Sequence, residues 1–388
     1  MNIAIMGFGT VGTGAYEVAK TAYDINVKRI LARHGREGYE NLKDIITNDI
    51  EDIIRDKDID VVIESMGGIE PARTYVLACL NAGKHVVTPN KNMLSAHFEE
   101  LTETAAQNGV ELRFTSTAGG GIPWLFNLMR TKRCDTITEV RGIVNGTCNY
   151  ILDSMYDKGA DFAEMLKIAQ DLGYAEADPS SDIEGTDTLC KTVISANIAF
   201  DALLKEKDIP CYGIDTIEAK DISYLKNKGY TCKLLMNAKL SDGKIKAWVE
   251  PVACPSTSLE ANVKANNNII TLVGESIGTQ SFYGQGAGML PTGESVIQDV
   301  IDIRDGTKMR YPAKQNNKYT AGECDEVRRY YIRHNKLCER IMSLVDTYEE
   351  KDGVFYCMSK PVTVIQMHNT GNHCKEKASP MFFAAIMD

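Results

Sequence analysis

Residues 2–12 read NIAIMGFGTVG, an apolar run of strand length followed by glycines at positions 7, 9 and 12. Residues 11–23, VGTGAYEVAKTAY, continue with helical spacing. A GxGxxG that leaves a strand and opens a helix is the context in which this motif binds a dinucleotide. Gly7 permits the tight turn, Gly9 lets the backbone approach a pyrophosphate, and Gly12 allows close helix packing. The helix start offers free N–H groups to the anion, so Gly7, Phe8, Gly9, Thr10, Val11 and Gly12 form the candidate cofactor loop. A purely structural glycine turn is the alternative.

The chain alternates outward from this loop. VKRILAR (27–33) reads as a strand, DIITNDIEDIIRD (44–56) as a helix and IDVVIES (59–65) as a strand. A helix (ARTYVLACLNAG, 72–83), a strand (HVVT, 85–88), a helix (FEELTETAAQNG, 98–109) and a strand (VELRFTS, 110–116) follow. Such βα alternation predicts a parallel sheet covered by helices, an α/β doubly wound (Rossmann) domain over residues 1–133. A helix near 286–305 is expected to return to it. Residues 134–285 mix strands and helices and are expected to form an α+β substrate-binding and dimerisation domain, whose open sheet needs cover. Residues 320–388 are expected to form a small third α+β unit. Its RRYYIRH (328–334), KLCERIMSLVDTYEE (336–350), VFYCM (354–358) and VTVIQM (362–367) read as strand, helix, strand and strand, which leaves no room for a second full helix and strand.

The 388 residues are 44% apolar and 25% charged, the composition of a packed globular protein. Lys and Arg number 43 against 53 Asp and Glu, a net charge of −10, which argues against a nucleic-acid partner. No stretch of 18 apolar residues occurs, and the start MNIAIMGFG shows no basic n-region and no cleavage site, so neither export nor a membrane span is expected. The 11 cysteines show no CxxC pair and no zinc spacing, and read as free thiols in a reducing cytoplasm.

Four further segments carry chemistry. Where an NAD site would place an acid at the end of the second strand, this chain has Arg33, with His34, Arg36 and Glu37 after it. A guanidinium there suits the 2′-phosphate of NADP, although a solvated strand end is the plainer reading. TPNK (88–91) brings Lys91 to the carboxyl edge of the sheet, where ligands of open α/β sheets bind. TSTAGGGIPW (115–124) exposes glycine backbone whose carbonyls could hold a small hard cation.

LGYAEADPSSDIEGTDTLCK (172–191) gathers five acids and one lysine at a turn and a helix start. Asp187 and Lys191 share a helix face, which could mean an ordinary i, i+4 bridge or the wall of a pocket. With Glu176, Asp178 and Asp182 just upstream, such a pocket would attract an ammonium group, and its lysines a carboxylate. The histidines lie outside these segments apart from His34, so lysine is left to transfer the proton.

Taken in order, GFGTVG, ESMGGIEPA, VVTPNK, TAGGGIP, NGTCNYIL, LGYAEADPSSDIEGTDTLCK and FYGQGAGMLPT resemble homoserine dehydrogenase over roughly residues 1–305. The resemblance implies NAD(P)-dependent interconversion of L-homoserine and L-aspartate 4-semialdehyde, on the way to threonine, methionine and isoleucine. It implies that Glu176, Asp187 and Asp182 bind substrate and that Lys191 and Lys91 transfer the proton. Lys91, Gly173 and Gly286 join the glycine loop and Arg33 around NADP, with NAD possible. A sodium ion would sit on backbone oxygens of Thr115, Ala118, Gly120 and Ile122, and the chain would form a homodimer.

Three departures stand out. Thr115 occupies the position usually held by Glu, and the turn usually written GPGAG is GQGAG here, with Gln285. The tail resembles a degenerate ACT domain but lacks the Pro-Gly turn before its helix, which argues against threonine feedback. Two other readings compete. A non-catalytic dinucleotide sensor would have no reason to keep both lysines, and another Rossmann amino acid dehydrogenase would not be expected to show the NGTCNYIL and YAEADP strings.

Overall fold

The structure is a computed structural model that describes residues 1–33, 40–312 and 319–387. His34, Arg36 and Glu37 lie outside the described residues. The chain divides into two compact units, the first made of Met1–Cys134, Asn197–Leu203 and Gly284–Lys318.

In the first unit β1 (Asn2–Met6), β2 (Asn26–Leu31), β3 (Ile46–Thr47), β4 (Val61–Glu64), β5 (His85–Val87) and β6 (Leu112–Arg113) form one sheet. Its strands are parallel, in the order β3-β2-β1-β4-β5-β6. The order reverses between β1 and β4, so the carboxyl ends of those strands flank the crevice in which such sheets bind ligands. Helices α1 (Thr10–Ala19), α2 (Glu51–Ile54), α3 (Ala72–Asn81), α4 (Lys91–Gln107) and α5 (Trp124–Thr131) intervene, and α11 (Met289–Arg304) is added from far along the chain.

The core explains that addition. Val296, Ile297, Val300 and Ile303 of α11 are buried together with Ile3, Ile5, Ala15, Val61 and Ile63. The crossing is close because it is made of glycines: a Cβ on Gly14 would overlap the Met289 carbonyl, and one on Gly293 would overlap the Gly14 backbone. Edge strand β6 is tied off by Tyr311, whose hydroxyl donates to the Leu112 carbonyl at 2.5 Å and accepts its amide at 2.7 Å. The helix expected over 44–56 is instead strand β3 and the single turn α2. Thr47 decides this locally, because its hydroxyl donates to the Asp52 carboxylate at 2.5 Å and accepts the Asp49 amide at 3.1 Å, competing with helix there.

The second unit comprises Asp135–Ala196, Leu204–Tyr283 and Tyr319–Asp388. It contains β7 (Ile137–Ile143), α6 (Gly146–Lys158), α7 (Phe162–Asp171), α8 (Ser180–Ile183), α9 (Thr186–Phe200) and α10 (Ala219–Asn227). Strands β8 (Tyr230–Ser241), β9 (Lys244–Pro255), β10 (Asn267–Gly274) and β11 (Gly278–Gln285) follow. The tail adds two-residue strands β12 (Thr320–Ala321), β13 (Val327–Arg328) and β17 (Val362–Thr363). Its longer elements are β14 (Tyr330–His334), α12 (Glu339–Leu344), β15 (Val345–Lys351), β16 (Val354–Ser359), α13 (Val364–Glu376) and β18 (Phe382–Ile386).

Residues 319–387 do not make a third unit. They extend one sheet, in the order β11-β10-β7-β8-β9-β18-β14-β16-β15, and β18 pairs in parallel with β9, Ala385 opposite Val252. The tail also completes a βαββαβ order, correcting the expectation that a second helix and strand are missing. VTVIQM is a strand only at its first two residues. Thr363 then caps α13, its hydroxyl accepting the Gln366 amide while Gln366 accepts the Thr363 amide, a reciprocal capping box. VDTYEE, expected at the end of a helix, is β15 and pairs with β16.

Side-chain alternation shows why the tail docks on this sheet. Phe382 and Ala384 face the cluster containing Ile151, Leu152 and Leu225, and Phe383 and Ala385 face the one containing Tyr212, Ile341 and Met367. A strand apolar on both faces needs cover on both faces. Glu250 on β9 fastens the junction, accepting from Trp248 at 2.9 Å, Arg328 at 2.8 Å, Tyr330 at 3.1 Å and His368 at 3.2 Å. Burial alone would raise its carboxyl, but these donors hold it below its usual range. Strands β8 and β9 are thus buried along most of their length within one chain, whereas edge strand β11 alternates between half-buried and exposed.

Candidate active site

In the first unit the three glycines of the loop do different work. Gly7 has φ +90°, and a Cβ there would sit 2.7 Å from the Ser65 carbonyl oxygen. A Cβ on Gly12 would overlap the Gly7 carbonyl, whereas one on Gly9 would meet nothing within 4 Å. Gly7 and Gly12 are therefore required by the fold itself. Gly9 keeps open space that fits the close approach of a pyrophosphate to backbone. Ser65, at the end of β4, donates to the Gly7 carbonyl at 2.8 Å and holds the turn, a contact not foreseen from sequence.

The neighbouring strand end is equally organised. Buried Glu64 accepts from the Thr88 hydroxyl at 2.6 Å and the Met66 amide at 2.7 Å, and burial pushes its carboxyl up. Asn90 donates to the Gly68 carbonyl at 2.7 Å and accepts the Met93 amide at 3.2 Å as the cap of α4. Lys91 is consequently the half-buried first residue of a helix. Arg33 is exposed, two residues beyond β2. Gly286 backs onto the TAGGG segment so closely that a Cβ on Gly120 would overlap its carbonyl, and the Gly121 amide donates to the Gln285 carbonyl at 3.3 Å.

That segment is the proposed cation loop. Thr115, Ala118, Gly120 and Ile122 are buried or nearly so. The Ile122 carbonyl already accepts the Trp124 amide at 2.7 Å, and the Thr115 amide donates to Asp299 at 2.9 Å. Among the described residues no group of three or more His, Cys, Asp or Glu side chains is placed to hold a metal ion. A cation here would have to rely on backbone oxygen.

In the second unit the acid-rich segment folds into a compact polar cluster. Helix α9 starts after Gly185, and its buried first turns carry Asp187 and Lys191, 5% and 8% exposed. The Lys191 ammonium donates to Asp187 Oδ2 at 2.8 Å and to the Val144 carbonyl at 2.6 Å. An ammonium has three donors, so one N–H has no partner among the described residues. Asn145 caps α6 by accepting the Cys148 amide at 2.8 Å, and its side-chain nitrogen donates to Asp182 at 2.7 Å and to Asp187 Oδ2 at 2.8 Å.

Asp182, Asp187 and Lys191 are therefore brought together. Glu176 is exposed on the preceding loop and its side chain makes no hydrogen bond or ion pair among the described residues; only its carbonyl is held, by Gln170 at 3.1 Å. Gly173 takes φ +76° where α7 ends, a conformation that by itself calls for glycine. Cys148 gives its S–H to the Asp182 carbonyl at 3.1 Å, and burial pushes its thiol far up, so it is no thiolate nucleophile. Asn145 was not singled out as a functional residue from sequence, although its place in NGTCNYIL, three residues before the amide it caps, carries the signal of an N-cap.

This cluster can hold an ammonium on carboxylate and deliver a proton from lysine. Residues 7–115 match the NAD-binding domain of homoserine dehydrogenase and residues 123–301 match the homoserine dehydrogenase family model. Homoserine dehydrogenase of Bacillus subtilis (strain 168) is 36% identical over 320 residues, covering 80% of this chain and 74% of that protein. The Lactococcus lactis subsp. lactis (strain IL1403) homoserine dehydrogenase is 33% identical over 378 residues, covering 92% and 88%. A solved homoserine dehydrogenase from Thiobacillus denitrificans superposes with TM-score 0.88 at 28% identity, covering 100% of this chain and 98% of that one. A hyperthermophilic archaeal homoserine dehydrogenase solved with NADPH shares the fold, with TM-score 0.69 at 23% identity, covering 80% and 99%.

Proposed function

The chain belongs to the homoserine dehydrogenase family, oxidoreductases acting on a CH–OH group, and from that premise we propose how its own residues carry the reaction. The substrates the family implies are L-homoserine and L-aspartate 4-semialdehyde, and the pathway is that of threonine, methionine and isoleucine in the cytoplasm. The observation that carries the reading is the buried Lys191–Asp187 pair, with one lysine N–H left without a partner among the described residues. Bound nicotinamide supplies or accepts the hydride. As the aldehyde oxygen gains negative charge, the Lys191 ammonium stabilises it and then gives it a proton; in the reverse direction the neutral amine takes the hydroxyl proton.

Asp187 and Asp182 hold Lys191 and the substrate amine, and exposed Glu176 offers that amine a further carboxylate. Lys91, positioned by the cap of α4, assists the proton transfer. Open space at Gly9 admits the pyrophosphate, and Arg33 turns the preference toward NADP. The sodium ion implied by the resemblance would take backbone oxygens of Thr115, Ala118, Gly120 and Ile122, and no chemical step passes through it. The chain acts as a homodimer through its second unit. The test is the purified protein with L-homoserine and NADP or NAD, followed by reduced-nicotinamide absorbance; absence of homoserine-dependent reduction with either cofactor overturns the reading.

A further inference from the structure

We propose that Asn145 is a positioning residue for proton transfer, its side-chain amide holding Asp182 and Asp187 apart from direct repulsion and sharing with Lys191 the same oxygen of Asp187. The inference rests on the reading of Lys191 given above and extends it to a residue without ionisable chemistry.

Three observations converge. The side-chain oxygen of Asn145 is committed to the Cys148 amide at 2.8 Å, which fixes the amide plane against the start of α6. With the oxygen fixed, both N–H groups point at carboxylates, Asp182 Oδ1 at 2.7 Å and Asp187 Oδ2 at 2.8 Å. Asp187 Oδ2 is also the acceptor of Lys191 at 2.8 Å. The residue is only 4% exposed, so water does not substitute readily for either donor. An amide is the side chain that can do all three things: accept one backbone N–H and donate twice from one nitrogen.

The consequence is electrostatic. Asp187 is buried and Asp182 half-buried; two carboxylates sharing a site push each other toward protonation, and a neutral double donor between them favours the ionised form of both. Donation into Asp187 Oδ2 also draws charge from the oxygen that grips Lys191, which eases release of the lysine proton to substrate. Among the described residues Cys148 from α6 and, beyond it, Cys211 also face this cluster. Both thiols are pushed up by burial and carry no charge in the working range.

The substitutions Asn145→Asp and Asn145→Ser separate positioning from capping, because Asp and Ser are good caps but neither can donate to both carboxylates. If Asn145 only caps α6, Asn145→Ser keeps the wild-type kcat and pH profile. Under the proposal kcat for homoserine oxidation falls at least about tenfold in both, with little change in NADP affinity. In Asn145→Asp the added negative charge also moves the rising limb of the kcat profile about 1–3 pH units upward, the shift expected from a charge within ~4–6 Å.

Melting curves read the same bridge without turnover. Asn145→Asp places a third carboxylate among two, so relative to wild type it loses stability as pH rises from about 4 to 7. Unchanged kcat and pH profile in Asn145→Ser overturn the proposal. A wild-type enzyme inactive on homoserine would overturn the functional reading instead and leave the melting test to decide this one. Should Asn145→Asp fail to fold, Asn145→Ser carries the kinetic comparison alone.

Discussion

Replacing Gly9 by alanine should leave the fold intact and cripple the cofactor site, and replacing Gly12 should do the opposite first. Gly9 has φ −85° and ψ −156°, extended backbone open to any residue, and a Cβ there meets nothing within 4 Å. Alanine lowers the entropy of the unfolded chain, worth about 0.4–1 kcal/mol, and is a poorer helix cap than glycine by roughly the same amount. The two offset, so the melting temperature should move by no more than about 2 °C. The methyl group nevertheless occupies the space through which a pyrophosphate would reach backbone N–H groups. Losing one charge-assisted hydrogen bond at ~1.5–3 kcal/mol weakens NADPH binding about 10- to 100-fold. In Gly12→Ala the new carbon overlaps the Gly7 carbonyl and lies 2.7 Å from Ser65 Oγ. Neither neighbour can retreat without disturbing the turn, so a destabilisation of about 1–3 kcal/mol is expected. Thermal melts and fluorescence titration with NADPH measure both quantities. A Gly9→Ala protein that binds NADPH as tightly as wild type would refute the argument that this loop receives the pyrophosphate.

Lys191→Ala should fold, bind NADP and lose about 10²–10⁴-fold in turnover, the range for a general acid; retention of more than a tenth of wild-type turnover would make Lys91 the better candidate. Arg33→Ala should lower the NADP to NAD efficiency ratio, and an unchanged ratio in steady-state kinetics sinks the assignment of the 2′-phosphate contact. Burial lifts the Asp299 carboxyl from 3.8 to about 7, against the Thr115 hydrogen bonds and the Arg113 charge that lower it. The folded chain then binds this proton more tightly than the unfolded chain, so the group's stabilisation is complete below about pH 4 and is lost as pH rises through 7. Asp299→Asn should flatten that slope and melt above wild type beyond pH 7; identical slopes in urea titrations count against it. Light scattering at micromolar concentration should report a dimer, and a stable monomer removes the homodimer.

Much of the first unit was legible because its signals are local. The order of strand, glycine loop and helix is written in the eleven consecutive residues 2–12, and parallel strands buried on both faces show as β-branched runs wherever they occur. The acid-lysine segment was legible for the same reason, since Asp187 and Lys191 are four residues apart on one helix. Local signals also misled. DIITNDIEDIIRD carries helical spacing, yet Thr47 turns its side chain onto Asp52 and Asp49, and Ile46 and Thr47 pair with β2 instead. In VTVIQM the β-branched residues outweighed a capping box that was present in Thr363 and Gln366.

What sequence alone determined was therefore the family, the glycine loop and the identity of the charged residues, all set by neighbours in the chain. What the tertiary structure decided was who meets whom across long separations. Asn145 reaches Asp182 and Asp187, 37 and 42 residues away; the tail joins β9 through Ala385 and Val252 rather than standing apart; and the sheet of the first unit recruits α11 through Gly14 and Gly293. The physical reason is the same in each case. A hydrogen bond or an apolar face specifies the chemistry of its partner but not the partner's position in the chain, and only the packed fold, in which buried donors and faces must all be satisfied together, selects one.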